Sequence, residues 1–304
     1  MNRISKEHLI YAMSPENEPA LRVPTGSRVV FETCDCFEDQ ITSADMDFGE
    51  LDWNRINPAT GPVYVEGAEP GDILAVKIEK INIASQGVMV TGPNLGVMGF
   101  DFTQNTIRMV PVENGCAVLA ENLKVPINPM IGVIGTAPAG GAIACGTPGD
   151  HGGNLDCKQN REGTTLFLPV NVPGALFALG DLHAAMGDGE VAVCGVEVAG
   201  EVTVTLEVIK GKKWPLPMAV NKDHLMTLAS EKELDAAADR AVVNMVRFLH
   251  EELQMAKEQA TFLLSAAGDL RVCQIVDPLK TARMELPLTF AKAAGFDADI
   301  YFVK

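Results

Sequence analysis

The stretch Glu201-Val-Thr-Val-Thr-Leu-Glu-Val208 alternates strictly, with Val202, Val204, Leu206 and Val208 on one side and polar residues on the other. A period of two marks a β-strand with one buried face, because successive side chains point to opposite faces of the pleat. Just before it, Val191, Val193, Gly195, Glu197 and Val198 lead into Ala199-Gly200, and the two runs read as an antiparallel hairpin. Further short strands are expected over residues 29–32, 72–80, 116–120, 165–170 and 190–198, most of them separated by Gly or Pro clusters. Long helical patterns are almost absent before residue 225, so the predicted fold class is mainly β, built on a sandwich or barrel core.

The last 80 or so residues change character. Ser230 and Glu233 read as a capping box, after which Leu234, Ala238, Ala241, Val242, Met245, Leu249 and Leu253 trace a helical stripe. A second helix is expected over 257–267 with Gly268 as a left-handed cap, followed by a strand over 272–276. This shift divides the chain into a β-rich region, residues 1–210, and an α+β region, residues 211–304, packed on it. The 25 uncharged residues from 125 to 149 are long enough to span a bilayer. Six glycines and the prolines at 126, 129, 138 and 148 would break such a helix, so this segment reads as a wound, buried loop region.

The 304 residues carry 24 Lys+Arg against 40 Asp+Glu, a formal net charge of -16. That charge repels phosphate backbones and anionic lipid, which removes nucleic acid and membrane surfaces as partners. Residues 1–13 mix Arg3, Lys6, Glu7 and His8 among apolar residues and contain no signal-peptide core, so a cytoplasmic location is expected. The seven cysteines form no C-x2-C pair and no disulfide framework.

Chemistry concentrates in Gly149-Asp-His-Gly-Gly-Asn-Leu-Asp156 and Gly180-Asp-Leu-His-Ala-Ala-Met-Gly-Asp-Gly-Glu190. Asp181 and His183 are two apart, so an extended backbone would present both to one metal ion. His151 and a further carboxylate would complete a zinc-type site with an open position for water. Asp150, Asp156, Asp181, Asp188 and Glu190 crowd the same region, and like charges repel unless a cation or protons offset them. Calcium is the alternative ion, with Asp150, Asn154 and Asp156 as oxygen donors. A thiol reading competes: Cys145 and Cys157 flank His151, and a thiolate beside an imidazole attacks amides. His8, His224 and His250 read as structural or exposed. No phosphate-binding loop motif is present.

Several ordered stretches resemble the acetamidase/formamidase family: Glu32-Thr-x-Asp35, Asn57-Pro-Ala-Thr-Gly-Pro through Glu69-Pro-Gly-Asp72, Met130-Ile-Gly-Val-Ile-Gly135, His151-Gly-Gly-Asn-Leu-Asp156, Leu168-Pro-Val170 and Gly180-Asp-Leu-His183 with Gly187-Asp-Gly-Glu190. The chain looks like a short form of that family. The resemblance implies hydrolysis of small linear amides to a carboxylate and ammonia by a metal-containing protein. It also implies a jelly-roll-like β-sandwich and a homo-oligomer. The matching polar positions are Glu32, Asp35, His151, Asp156, Asp181, His183, Asp188 and Glu190. On this basis Asp35, His151, Asp181 and His183 are expected to hold a divalent metal, zinc in preference to calcium. Glu190 is expected to act as general base, with Glu32 and Asp156 as further catalytic groups. The competing functions are a non-catalytic, metal-stabilised sandwich that binds a small ligand, and the cysteine-nucleophile amidase.

Overall fold

The alternation at 201–208 forms the strand Gly200–Ile209, which lies inside a nine-stranded sheet between Ser27–Thr33 and Ile73–Ile83. The computed structural model describes residues 2–297, so residues 298–304 of the expected C-terminal region lie outside the described part. From Ile73–Ile83 the sheet continues through Thr165–Pro169, Met218–Val220, His224–Glu231, Lys280–Pro287 and Asp269–Gln274. Strands from beyond residue 211 therefore extend the same sheet that the first region begins.

A second, ten-stranded sheet is organised around Phe177–His183, which pairs with Met130–Gly135 on one side and with Ala59–Glu66 and Glu197–Val198 on the other. The inner faces of the two sheets share one core. Val29, Phe31, Leu74, Val202, Val204 and Leu206 from the first sheet pack with Val63, Ile131, Phe177, Leu179 and Leu182 from the second. Phe31 meets Phe177 edge to face, with ring centroids 5.7 Å apart. The fold is thus mainly β, a two-sheet sandwich with an α+β C-terminal part, as expected from the sequence.

Four local expectations are corrected. Residues 191–198 do not form a hairpin with 202–209: only Glu197–Val198 is extended, and it pairs in the other sheet. Gly189, Glu190 and Val193 adopt left-handed φ values of 102°, 47° and 81°, which curl this segment out of strand geometry. Ser230 is not a helix cap. It lies within His224–Glu231 with its hydroxyl 3.0 Å from that of Thr281, and the helix α1 (Leu234–Glu251) begins without a side-chain cap. The helix α2 (Lys257–Ala267) has the expected bounds, but Gly268 after it is extended rather than left-handed. It is kept small by contact: a Cβ there would lie 2.2 Å from Met284 Cε. Finally, the uncharged segment 125–149 is not all loop, because Met130–Gly135 is a fully buried strand.

The buried face of α1 runs through Ala237, Ala241, Met245, Phe248 and Leu249, and the helix covers the outer side of the nine-stranded sheet. Phe248 and Phe167 both pack edge to face on Trp214, at 5.4 and 5.0 Å between centroids. Phe248→Ala is expected to lower unfolding stability by about 3–5 kcal/mol, a loss that urea denaturation will measure.

Candidate metal centre and cavity

Asp181 and His183 sit at the end of Phe177–His183, fully buried between neighbouring strands. The two side chains do converge, with Asp181 Oδ1 3.5 Å from His183 Nε2. Simple alternation is not the cause, because Asp181 is left-handed at φ 56°. The adjacent strand accommodates this through Gly132, where a Cβ would fall 2.4 Å from Asp181 Oδ2 and 2.5 Å from Asp156 Oδ1. Asp156 at φ 40° and Glu190 at φ 47° share the same uncommon backbone region. Three carboxylates of one cluster on left-handed, non-glycine backbone mark a place where local strain is held for a purpose.

Around His183 Nε2 stand four carboxylate oxygens: Glu197 Oε1 at 3.1 Å, Asp181 Oδ1 at 3.5 Å, Asp156 Oδ1 at 3.7 Å and Glu190 Oε1 at 3.8 Å. All five side chains are buried. Asp277, from the loop after Asp269–Gln274, receives a hydrogen bond from Asn154 Nδ2 at 3.0 Å and joins the same charge cluster. Burial pushes the carboxyls of Asp156, Glu190 and Asp277 well above the ordinary range, and their mutual repulsion adds to the shift. Burial raises Glu197 to about 7, with the His183 charge partly offsetting it. For His183, burial opposes the charged imidazole, but Glu197 and Asp181 outweigh it and hold the pKa well above the usual value.

One imidazolium cannot balance five carboxylates, and among the described residues no Lys or Arg lines the cavity onto which the cluster opens. Both oxygens of Asp156, Glu190 Oε2 and Glu197 Oε2 are buried and meet no hydrogen-bond donor. Two sets of donor atoms, Asp156/His183/Glu190 and Cys36/Asp181/Glu197, each lie within 4.8 Å of one another. Buried acceptors without donors, gathered round an imidazole, fit a divalent cation.

The sequence-selected residues are only partly gathered here. Asp156, Asp181, His183 and Glu190 are brought together. Asp35 is close enough for the charge of Asp181 to affect it, and burial raises its carboxyl to about 6. Its Oδ1, however, accepts the backbone N–H groups of Phe37 and Asp39 at 2.9 Å each. His151 is folded against its own glycine loop, where Cβ atoms at Gly149 and Gly153 would lie 3.1 and 3.0 Å from the ring nitrogens. Burial lowers its pKa to about 4. Glu32 is engaged by Arg3 at a part-exposed position and does not line the cavity. Asp150 pairs with Arg240, and Asp188 pairs with Arg283 and Lys158. Cys145 and Cys157 are fully buried and do not themselves line the cavity, and burial lifts the Cys145 thiol to about 12.

Sequence reasoning passed over Glu197, Asp277 and Cys36. Glu197 did leave a signal, since it stands in the apolar row of the 191–198 alternation, where a carboxylate is out of place. Asp277 left none.

The profile of the acetamidase/formamidase family matches residues 5–145 and 140–291. The crystal structure of an acetamidase from Bacillus halodurans is 51% identical in sequence, with a TM-score of 0.95 over 97% of this chain and 100% of that one. An acetamidase of Mycolicibacterium smegmatis is 27% identical over 65% of this chain and 65% of its own length. A formamidase of Methylophilus methylotrophus is 28% identical over 62% of this chain and 61% of its own. The matched region thus spans less than two thirds of these curated relatives. Fold and site together define a β-sandwich protein with a buried acidic centre suited to a cation. The chain belongs to the acetamidase/formamidase family.

The raised carboxyls have a consequence for stability. The folded chain holds protons on them at pH values where the unfolded chain has released them, so stability falls as pH rises between the two pKa values. For Glu197 that window runs from 4.5 to about 7. His151 acts in the opposite sense as pH falls from 6.5 towards about 4, whereas Asp35, raised to about 6, acts with the cluster. In chelator, the melting temperature is therefore expected to drop as pH is raised through this window. A divalent ion added at pH 8 is expected to raise it again, as scanning calorimetry will show.

Proposed function

We propose that the protein is a metal-dependent amidohydrolase that cleaves the C–N bond of linear amides to give a carboxylate and ammonia. The observation that carries this reading is the ring of four buried carboxylates around His183 Nε2, opening onto a cavity in a chain of the acetamidase/formamidase family. Asp181 and His183, with Asp156 beside them, would hold the ion. The mixed imidazole and carboxylate donor set suits zinc. Asp35, fixed by its two backbone N–H bonds, would support the centre from its edge. The chemistry such an ion supplies when bound is polarisation of a carbonyl and acidification of a water molecule.

Proton movement falls to Glu190. Its Oε2 is buried without a hydrogen-bond donor, and its environment raises its pKa, which suits a carboxylate that takes a proton from water and passes it to the departing nitrogen. Without that proton the amide nitrogen is a poor leaving group. Glu197 is held by the N–H of Gly195 at 2.8 Å and faces His183, so it fixes the imidazole ring.

A cytoplasmic homo-oligomer is part of the same proposal. In support of association, the surface exposes Val97, Met98, Phe100 (82% exposed) and Val191, with Val97 hydrogen-bonded to Val191. Among the described residues no helix is long and apolar enough to cross a membrane.

Ammonia release from formamide, acetamide and propionamide is expected to stop on chelation and return with zinc. Release that is indifferent to chelators but lost on thiol alkylation would favour the cysteine reading, and no release in any state would favour the binding sandwich. Glu190→Gln should keep the metal and lose turnover by about 10²-fold or more. Asp181→Ala and His183→Ala should lose the metal itself, which elemental analysis of the purified variants will show. Formamide and acetamide are so small that, at a ceiling of about 1.5 kcal/mol per heavy atom, millimolar KM values are expected for them.

A further inference from the structure

We propose that the cavity selects linear primary amides whose acyl group is apolar and larger than acetyl, of about the size of phenylacetyl or hexanoyl. This rests on the amidase reading above. The cavity beside the acidic cluster has a volume of about 470 Å³, within the range of about 300–1,000 Å³ found for pockets that enclose drug-sized ligands. Formamide and acetamide, with three and four heavy atoms, would fill only a small part of this space. A substrate loose in a wet cavity forfeits much of the advantage of orientation.

The lining is divided by chemistry. Phe37, Ile56, Val90, Leu95 and Val193 all line the cavity, and all belong to one apolar cluster. Trp53, about half exposed, also lines it, with its ring against Phe48. The remaining lining is mostly polar: Asp181, Glu190, Glu197 and Asp277, whose charged forms accept hydrogen bonds and donate none, stand beside hydroxyl and amide side chains such as Thr147 and Asn54 that can also donate. An unsubstituted amide nitrogen offers two N–H donors to those acceptors. An N-alkyl group in the same place would strip water from carboxylates and return no hydrogen bond. The apolar wall is therefore left for the acyl side. Val193 ties this wall to the chemistry: it lies three residues from Glu190, donates its N–H to the Glu190 carbonyl at 3.0 Å, and holds a left-handed φ of 81° that a β-branched residue seldom adopts.

The test pairs turnover with a binding signal that does not need turnover. The chain has two tryptophans, and Trp214 is packed in the separate cluster beneath α1. Titrating phenylacetamide into the zinc-loaded protein should change Trp53 emission at concentrations where acetamide does nothing, and Trp53→Phe should abolish the signal. The kcat/KM values of hexanamide and phenylacetamide should exceed that of acetamide at least about tenfold, and N-methylacetamide should be a poorer substrate than acetamide. If acetamide is hydrolysed as well as phenylacetamide, and phenylacetamide leaves Trp53 emission unchanged, the acyl assignment is overturned while the amidase reading stands. If no amide is hydrolysed but phenylacetamide perturbs Trp53 and acetamide does not, the amidase reading fails and the cavity's preference for the larger acyl group is upheld. Absence of both turnover and binding overturns both.

Discussion

The constraint on which this site depends is electrostatic: four buried carboxylates, the half-buried Asp277 and one imidazole are gathered beside a cavity that, among the described residues, no lysine or arginine lines. Each carboxylate disfavours its own charge through burial and its neighbours' charge through repulsion. A fold tolerates such a cluster only if protons or a cation supply the missing positive charge. Protonation is the resolution available to the chain by itself, and the raised pKa values of Asp156, Glu190, Glu197 and Asp277 describe it. A divalent cation is the other resolution. It would turn the same repulsion into ligation and leave the deprotonated forms that the proposed hydrolysis calls for.

The rest of the fold is arranged to hold these charges together. Phe177–His183 is flanked on both sides by strands, so its backbone is rigid where Asp181 and His183 emerge. Gly132 leaves room for two carboxylates at the point where any side chain would collide with them. The apolar core between the sheets, with Phe31 against Phe177, supplies the stability against which left-handed Asp156, Asp181 and Glu190 are maintained.

Much of this was legible in the sequence, for identifiable reasons. Strict alternation at Val202, Val204 and Leu206 reports a half-buried strand directly, and the glycine-rich segments do contain Asp156, Asp181, His183 and Glu190, which the fold gathers around one imidazole through left-handed backbone that no alternation signals. What was not legible depended on distant contacts. The hairpin expected at Ala199-Gly200 fails because the backbone at Gly189, Glu190 and Val193 is bent to deliver Glu190, and this bending is a property of the site rather than of local propensity. Asp277 is separated by more than a hundred residues from its partner Asn154, and only the continuation of the sheet into the C-terminal region brings the two within 3.0 Å.

That continuation also explains a buried arginine. Arg283 is almost wholly enclosed in the strand Lys280–Pro287, yet every nitrogen of its guanidinium is used. Nη1 and Nη2 grip the two oxygens of Asp188 at 2.8 and 2.9 Å, and Nε donates to Glu285 at 2.7 Å. Next to Asp188, Gly189 donates its N–H to the carbonyl of Cys273 at 2.8 Å and accepts from Ile275 at 3.2 Å. The turn that presents Glu190 is thus held at Asp188 and Gly189 by the C-terminal region. A planar fork matches a carboxylate in position and direction in a way that an ammonium does not. Burying a charge this deeply is costly unless its partners are fixed. Here the partners are fixed, and the same clamp fixes Glu190. The C-terminal region therefore contributes to the acidic centre twice, through Asp277 of the loop after Asp269–Gln274 as a member and through Arg283 as the anchor of its proposed proton carrier.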